Sequence, residues 1–248
     1  MRSVCLCLST VLFFCGCAHD QPFLVPGADR EAPLKIHLIK SLMSQAYLIE
    51  SPDGLVLVDT GGPGNASKIL GKMKDIGRAD LRLILITHGH FDHYGSAGVL
   101  RRRTGAPIAV HRADAEAMAE GETRLGEVRS WGRLGKALLP VARLIWRTEG
   151  TPADMLVDEG FSLEAFGIQA KILHMPGHTP GSIGLVVEGR YVFAGDLLSS
   201  RPRLHPQSYY ASDWDQVARS LERLKKMDPS MVFPGHGRPV RGDELEGL

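Results

Sequence analysis

Four side chains able to bind a metal fall within six positions of the stretch Thr87–His88–Gly89–His90–Phe91–Asp92–His93–Tyr94–Gly95. Three imidazoles and a carboxylate packed this closely without a cation would leave buried polar groups unpaired, at about 1–3 kcal/mol each. The spacing therefore points to metal chemistry. His88 and His90 are alternate residues and, in extended backbone, face the same way, so they can grip one ion together. Asp92 and His93 lie past a bend that Gly89 and Gly95 permit, and can turn toward a second, neighbouring ion.

Three later positions repeat one design. His178 stands in Met175–Pro176–Gly177–His178–Thr179–Pro180–Gly181–Ser182, Asp196 in Phe193–Ala194–Gly195–Asp196–Leu197, and His236 in Phe233–Pro234–Gly235–His236–Gly237. Each follows an apolar run and sits on a turn carrying glycine. Strand ends of this kind can converge on one edge of a layered sheet, where ligand sites of α/β proteins gather. Histidine nitrogen and carboxylate oxygen suit Zn2+, and also Fe or Mn in a site without sulfur.

The elements that must position these residues are legible in the periodicity. Leu34–Ile39, Ser44–Glu50 and Gly54–Asp59 read as strands, with Ser51–Pro52–Asp53–Gly54 as a hairpin turn. Leu81–Ile86 is a buried strand leading into the metal turn. Helices are expected over 65–77, 97–104, 113–120 and 214–226, and strands over 107–111, 155–157, 168–174, 184–187, 191–194 and 231–233. Residues 121–150 stand apart, because Trp131–Arg147 mixes apolar and basic residues at helical spacing with an expected break at Pro140. An amphipathic cover on the body, a lid contacting an acyl or aromatic substrate, and a membrane-facing patch all remain open for this segment.

At 248 residues and 44% hydrophobic, the chain suits one large α/β domain. All four cysteines (Cys5, Cys7, Cys15 and Cys17) lie in the first seventeen residues, so the body has no disulfide and no thiolate ligand. Arg2 followed by the apolar run Val4–Phe14 and small residues looks like a secretory signal, too short for a membrane span. Phe14–Cys15–Gly16–Cys17 also resembles a bacterial lipobox, although Phe14 and Cys15 replace the usual leucine and small residue. It implies a lipidated Cys17, a membrane-anchored exported protein facing the periplasm or cell exterior, and residues 18–33 as a tether. Simple secretion, a retained anchor and a misassigned start are the alternatives. Without Arg2 the 29 basic residues become 28, matching 28 acidic ones. A neutral body argues against a nucleic-acid partner.

The set His88–x–His90–x–Asp92–His93, His178, Asp196 and His236, preceded by Leu57–Val58–Asp59–Thr60–Gly61, resembles the metallo-β-lactamase-fold hydrolases from about Leu34 to Pro239. The resemblance implies one hydrolase domain over 34–248, a four-layer αββα sandwich with a helical insertion around 113–150. It assigns His88, His90 and His178 to one ion, Asp92, His93 and His236 to a second, and Asp196 as a bridge. Asp59 would fix a ligand imidazole from behind. Two divalent ions would activate a bridging hydroxide for attack on a carbonyl, with Asp92 orienting the nucleophile and carrying a proton to the leaving atom. His205, Tyr209 and Tyr210 follow Asp196 and can line the cleft, whereas His19, His37, His111 and His174 read as structural or exposed.

Branches of that family differ in ways that bear on the reaction. Its β-lactamases lack the bridging aspartate. Glyoxalase II shares the ligands but adds a helical glutathione-binding extension, whereas twelve residues follow His236 here. Acyl-homoserine-lactone lactonases place a tyrosine where Ser199 stands. The expectation is a small-molecule hydrolase of carboxylic ester, thioester or lactone bonds. A mononuclear-iron persulfide dioxygenase, a β-lactamase-type amide hydrolase and a non-catalytic metal-binding lipoprotein are the alternatives.

Overall fold

A computed structural model describes residues 21–26 and 33–248; Cys17, the signal-like segment and His19 lie outside the described residues. In chain order the first elements are β1 (Phe23–Val25), β2 (Leu34–Lys40), β3 (Gln45–Ser51), β4 (Gly54–Val58), α1 (Ala66–Asp75) and β5 (Leu81–Leu85). There follow α2 (Phe91–Tyr94), α3 (Ala97–Thr104), β6 (Ile108–His111), α4 (Arg112–Glu120), β7 (Glu127–Val128), α5 (Gly132–Ile145) and β8 (Met155–Val157). The second half comprises β9 (Ala170–His174), β10 (Ile183–Val187), β11 (Tyr191–Gly195), β12 (Leu198–Ser199), β13 (His205–Pro206), β14 (Tyr210–Ala211), α6 (Trp214–Lys226), β15 (Met231–Pro234) and β16 (Val240–Arg241).

Two sheets carry the architecture, one of seven strands in the order β1-β2-β3-β4-β5-β6-β8 and one of five in the order β16-β15-β11-β10-β9. Strands β4, β5, β6 and β8 run parallel, and their sequences are near-continuous apolar runs because both faces are covered. On one face Val56, Val58, Leu83 and Leu85 meet Ile172, Leu185 and Phe193 of the second sheet. On the other, Leu55, Leu57 and Ile84 pack under Ile69 and Met73 of α1 and Leu100 of α3. Helix α6 covers the second sheet with Val217, Leu221 and Leu224, spaced as one helical face. The result is an αββα sandwich.

Aromatic packing ties the sheets together beside the functional edge. The rings of Tyr47 and Phe233 lie 5.5 Å apart, and those of Phe193 and Phe233 4.7 Å apart. The Tyr47 hydroxyl donates to the Pro234 carbonyl at 2.6 Å, which fixes the strand end that leads to His236.

The fold corrects three sequence expectations. Phe23–Val25, inside the expected tether, is an edge strand paired antiparallel with Leu34–Ile36, and Phe23 packs edge-on against Phe233. Helix α5 runs through Pro140 without the expected break. Pro140 and Lys136 both face solvent, so water can serve the carbonyl that the missing N–H leaves open. Helix α4 belongs to the body and not to an insertion, since Ala117 and Met118 are buried in it. Among the described residues no helix is long and apolar enough to cross a membrane.

Candidate metal centre

Asp59, directly after strand β4, holds a left-handed backbone (φ +57°), an unfavourable conformation for a residue with a side chain. The carboxylate accounts for that strain. Its Oδ1 accepts from the Thr87 backbone N–H at 2.8 Å, and its Oδ2 accepts from the Thr87 hydroxyl and faces His93 Nδ1, each at 2.8 Å. Asp59 thus ties the exit of β5 to the short helix α2 that carries Asp92 and His93.

Every imidazole of the cluster is held through the nitrogen that faces away from the cleft. His178 Nδ1 lies 2.9 Å from the Tyr210 carbonyl, His236 Nδ1 2.8 Å from that of Met43, and His90 Nε2 3.2 Å from that of Arg124. A carbonyl can only accept, so each of these nitrogens carries a proton and the opposite nitrogen is the one that can ligate a cation. Gln207 Nε2 lies 2.9 Å from His178 Nδ1 and donates to the Asp196 carbonyl at 3.1 Å, which places its amide against the His178 ring. His90 therefore points Nδ1 inward where its companions point Nε2.

The inward atoms form overlapping groups. Ligand atoms of His88, His90 and His178 lie within 4.8 Å of one another, as do those of His88, His93 and Asp196 and those of Asp92, His93 and His236. Asp196 stands between the two outer sets, with Oδ2 3.6 Å from His178 Nε2 and 3.2 Å from His236 Nε2, and Oδ1 3.2 Å from His93 Nε2. Asp92 Oδ2 reaches His93 and His236 at 3.6 and 3.5 Å. Gly235 permits this convergence, because a Cβ there would press on Asp196 Oδ1 and come within 2.6 Å of His93 Cε1.

The donors fit a cation. His88 Nε2, His93 Nε2 and Asp196 Oδ1 are buried without a hydrogen-bond partner, a cost that a bound ion removes. Titration behaviour divides the cluster. Burial, reinforced by the neighbouring His93 and His178, holds His88 well below the usual imidazole range, and burial beside His90 pushes His178 down to about 3. Burial opposes charge on His93 and His236 too, but the carboxylates of Asp196 and Asp92 outweigh it and raise both. Burial likewise opposes charge on Asp196, and His236 and His93 overcome it, keeping that carboxyl well below its usual range.

Exposure shows which side meets solvent. His88, His90 and His178 are buried, whereas the side chains of His236 and Asp92 retain 24% and 17% of their accessible surface. Beside them lies a cavity of about 220 Å3 walled by Leu198, His205, Tyr209 and Tyr210. His205 turns its ring nitrogens to the Pro206 and Arg201 carbonyls, so it shapes the wall without joining the ligands. A larger cavity of about 460 Å3 adjoins His236 and is lined by Lys40, Lys72, Arg201 and Arg238 with no carboxylate among its described lining residues.

One positioning residue escaped the sequence. Asp114, buried on α4, accepts from the Gly89 and Gly181 backbone N–H groups at 2.8 Å each and from the Thr179 hydroxyl at 2.6 Å. It staples the turn of His88 and His90 to the loop of His178. Of the histidines read as structural, His37 pairs with Glu50, and His111 stacks on His174 at 4.2 Å, away from the ligand cluster.

The family model described as the metallo-beta-lactamase superfamily matches residues 40–236. The chain belongs to the metallo-beta-lactamase superfamily. It is 26% identical to a probable metallo-hydrolase, YflN, of Bacillus subtilis, over 87% of this chain and 89% of that one. It is 28% identical to the hydroxyacylglutathione hydrolase GloC of Haemophilus influenzae, over 73% and 79% respectively. A solved B3 metallo-beta-lactamase, BLEG-1, shares the fold with a TM-score of 0.66 at 22% identity, covering 86% of this chain and 97% of that one. As a superfamily member it is a metal-dependent hydrolase, with a His/Asp cluster able to hold divalent metal.

Proposed function

We propose that this protein is a dinuclear hydrolase cleaving a carboxylic ester, thioester or lactone bond, with His88, His90 and His178 holding one divalent ion and Asp92, His93 and His236 the other. The observation that carries this reading is the Asp196 carboxylate, whose oxygens reach across both sets. Zn2+ is the first choice of metal for such donors, with Fe or Mn as alternatives. When bound, the ion pair supplies a water acidified toward neutrality and an electrophile for the scissile carbonyl.

The protein groups do the rest. Asp92, part-exposed at the cleft, orients the attacking water and delivers a proton to the leaving atom. Tyr210 stays protonated, since burial and the Asp92 charge raise its pKa, and Tyr209 and Tyr210 wall the space for the acyl portion. Lys40 and Arg201 on the neighbouring cavity suit a leaving group that carries negative charge, while Arg238 there is paired with Glu244. The relative named hydroxyacylglutathione hydrolase makes thioesters the first class to assay. Export and lipidation at Cys17 complete the proposal; wild-type protein that incorporates no labelled fatty acid in its producing cells would rule out the anchor.

Elemental analysis run beside an ester, thioester and lactone panel tests the reaction. Asp196→Ala should bind one equivalent of metal in place of two and lose turnover by orders of magnitude, about 10³-fold or more. Retention of both ions and of activity would contradict the bridge. Iron with oxygen uptake on a persulfide would transfer the protein to the dioxygenase reading.

A further inference from the structure

Helix α5 has two apolar faces and the body uses one. Gly132, Gly135, Leu139, Ala142 and Trp146 recur at helical spacing on the side that is shielded by the body. The seat is close: a Cβ on Gly132 would meet the Tyr209 carbonyl at 2.6 Å, and one on Gly135 would collide with the Tyr210 hydroxyl. A second row of Leu134, Leu138, Val141, Leu144 and Ile145 points outward, each side chain more than half exposed, with Trp131 at 78% beside its start. Among the described residues these six make up more than half of the large exposed apolar side chains, so the exposure is a concentrated patch and not scatter.

The charges around this row select what covers it. From Val128 to Thr148 the sequence carries Arg129, Arg133, Lys136, Arg143 and Arg147 and no acidic residue. Arg129 is turned inward over the Trp214 ring at 4.2 Å. Arg133 and Lys136 are exposed and make no ion pair among the described residues. An anionic bilayer surface answers both features at once, taking up the apolar row and the unpaired cations together. Aliphatic side chains and a tryptophan enter the acyl boundary while lysine and arginine meet the headgroups.

We propose that α5 docks on an anionic lipid surface, independently of any acyl chain on Cys17. Because its glycines rest on Tyr209 and Tyr210, the docking helix and the wall of the catalytic cleft form one packed unit. The surface thereby presents the hydrolase to amphiphilic substrates held at the membrane.

The test uses the whole chain carrying Cys17→Ser, so that no lipid anchor contributes. The apolar Val4–Phe14 run is common to every variant and cancels in the comparison. Flotation with phosphatidylglycerol vesicles should carry the parent, flotation with phosphatidylcholine should carry far less, and added salt should release it. Leu138→Glu with Val141→Glu should weaken partitioning roughly tenfold or more on phosphatidylglycerol. Arg133→Glu with Lys136→Glu should abolish the preference for the anionic lipid. Equal binding to both lipids, or binding unaltered by either pair of changes, overturns the proposal. So does a dimer of the vesicle-free parent, seen by light scattering, that Leu138→Glu with Val141→Glu disperses, because the row would then be covered by a second copy.

Discussion

The metal centre and helix α5 are built on opposite terms. The centre draws on four separated strand ends, and each of its imidazoles is fixed from behind by a carbonyl, a carboxylate or a hydroxyl. Helix α5 is a single continuous segment that rests on the body through glycines and leaves its largest side chains in solvent. Chemistry that needs several groups aimed at a common point requires a scaffold that over-determines them. Contact with a broad, fluid surface needs only amphipathicity and no fixed aim.

The largest expected effect comes from loosening the rigid region at its staple. Asp114→Ala strands three buried donors and should destabilise the fold by about 3 kcal/mol or more, with weakened metal binding at the three-histidine set. Urea unfolding and metal titration read both quantities, and wild-type values in each would remove Asp114 from this role.

An intermediate effect separates the two ligand sets by pH. In metal-free protein His93 and His236 have raised pKa values, so they hold protons that an incoming cation must displace; His88 and His178 have lowered values and stay neutral. Occupancy at Asp92, His93 and His236 should therefore fall first as pH drops from about 8 to about 6, while the buried set keeps its ion. Simultaneous loss of both ions across that interval would erase the distinction. The smallest effect belongs to α5. Leu144→Ser should change stability by no more than about 0.5 kcal/mol, because its side chain already lies in water. A loss of about 2 kcal/mol in thermal unfolding would mean that this face is packed.

What the sequence could disclose follows from how each contact is made. Liganding side chains announce themselves by type, and their strands by apolar runs that end in glycine, so His88, His178, Asp196 and His236 were legible together with β5, β9, β11 and β15. Asp114 was not, because an aspartate among alanines on a helix looks like ordinary surface until Gly89 and Gly181 are seen against it. The carbonyls of Met43, Arg124 and Tyr210 carry no signature at all, since every residue has one. Phe23–Val25 is too short to stand out as a strand and depends on β2 for its pairing. Pro140 misled for a related reason: solvent on one side of α5 relieves the break that proline forces in a buried helix.

His236 stands on the turn after β15, and that strand enters its sheet between β11 and β16. The outer ligand set therefore cannot assemble until nearly the entire domain has left the ribosome. If the chain crosses a membrane unfolded, its full complement of metal is acquired on the far side, from whatever pool that compartment offers.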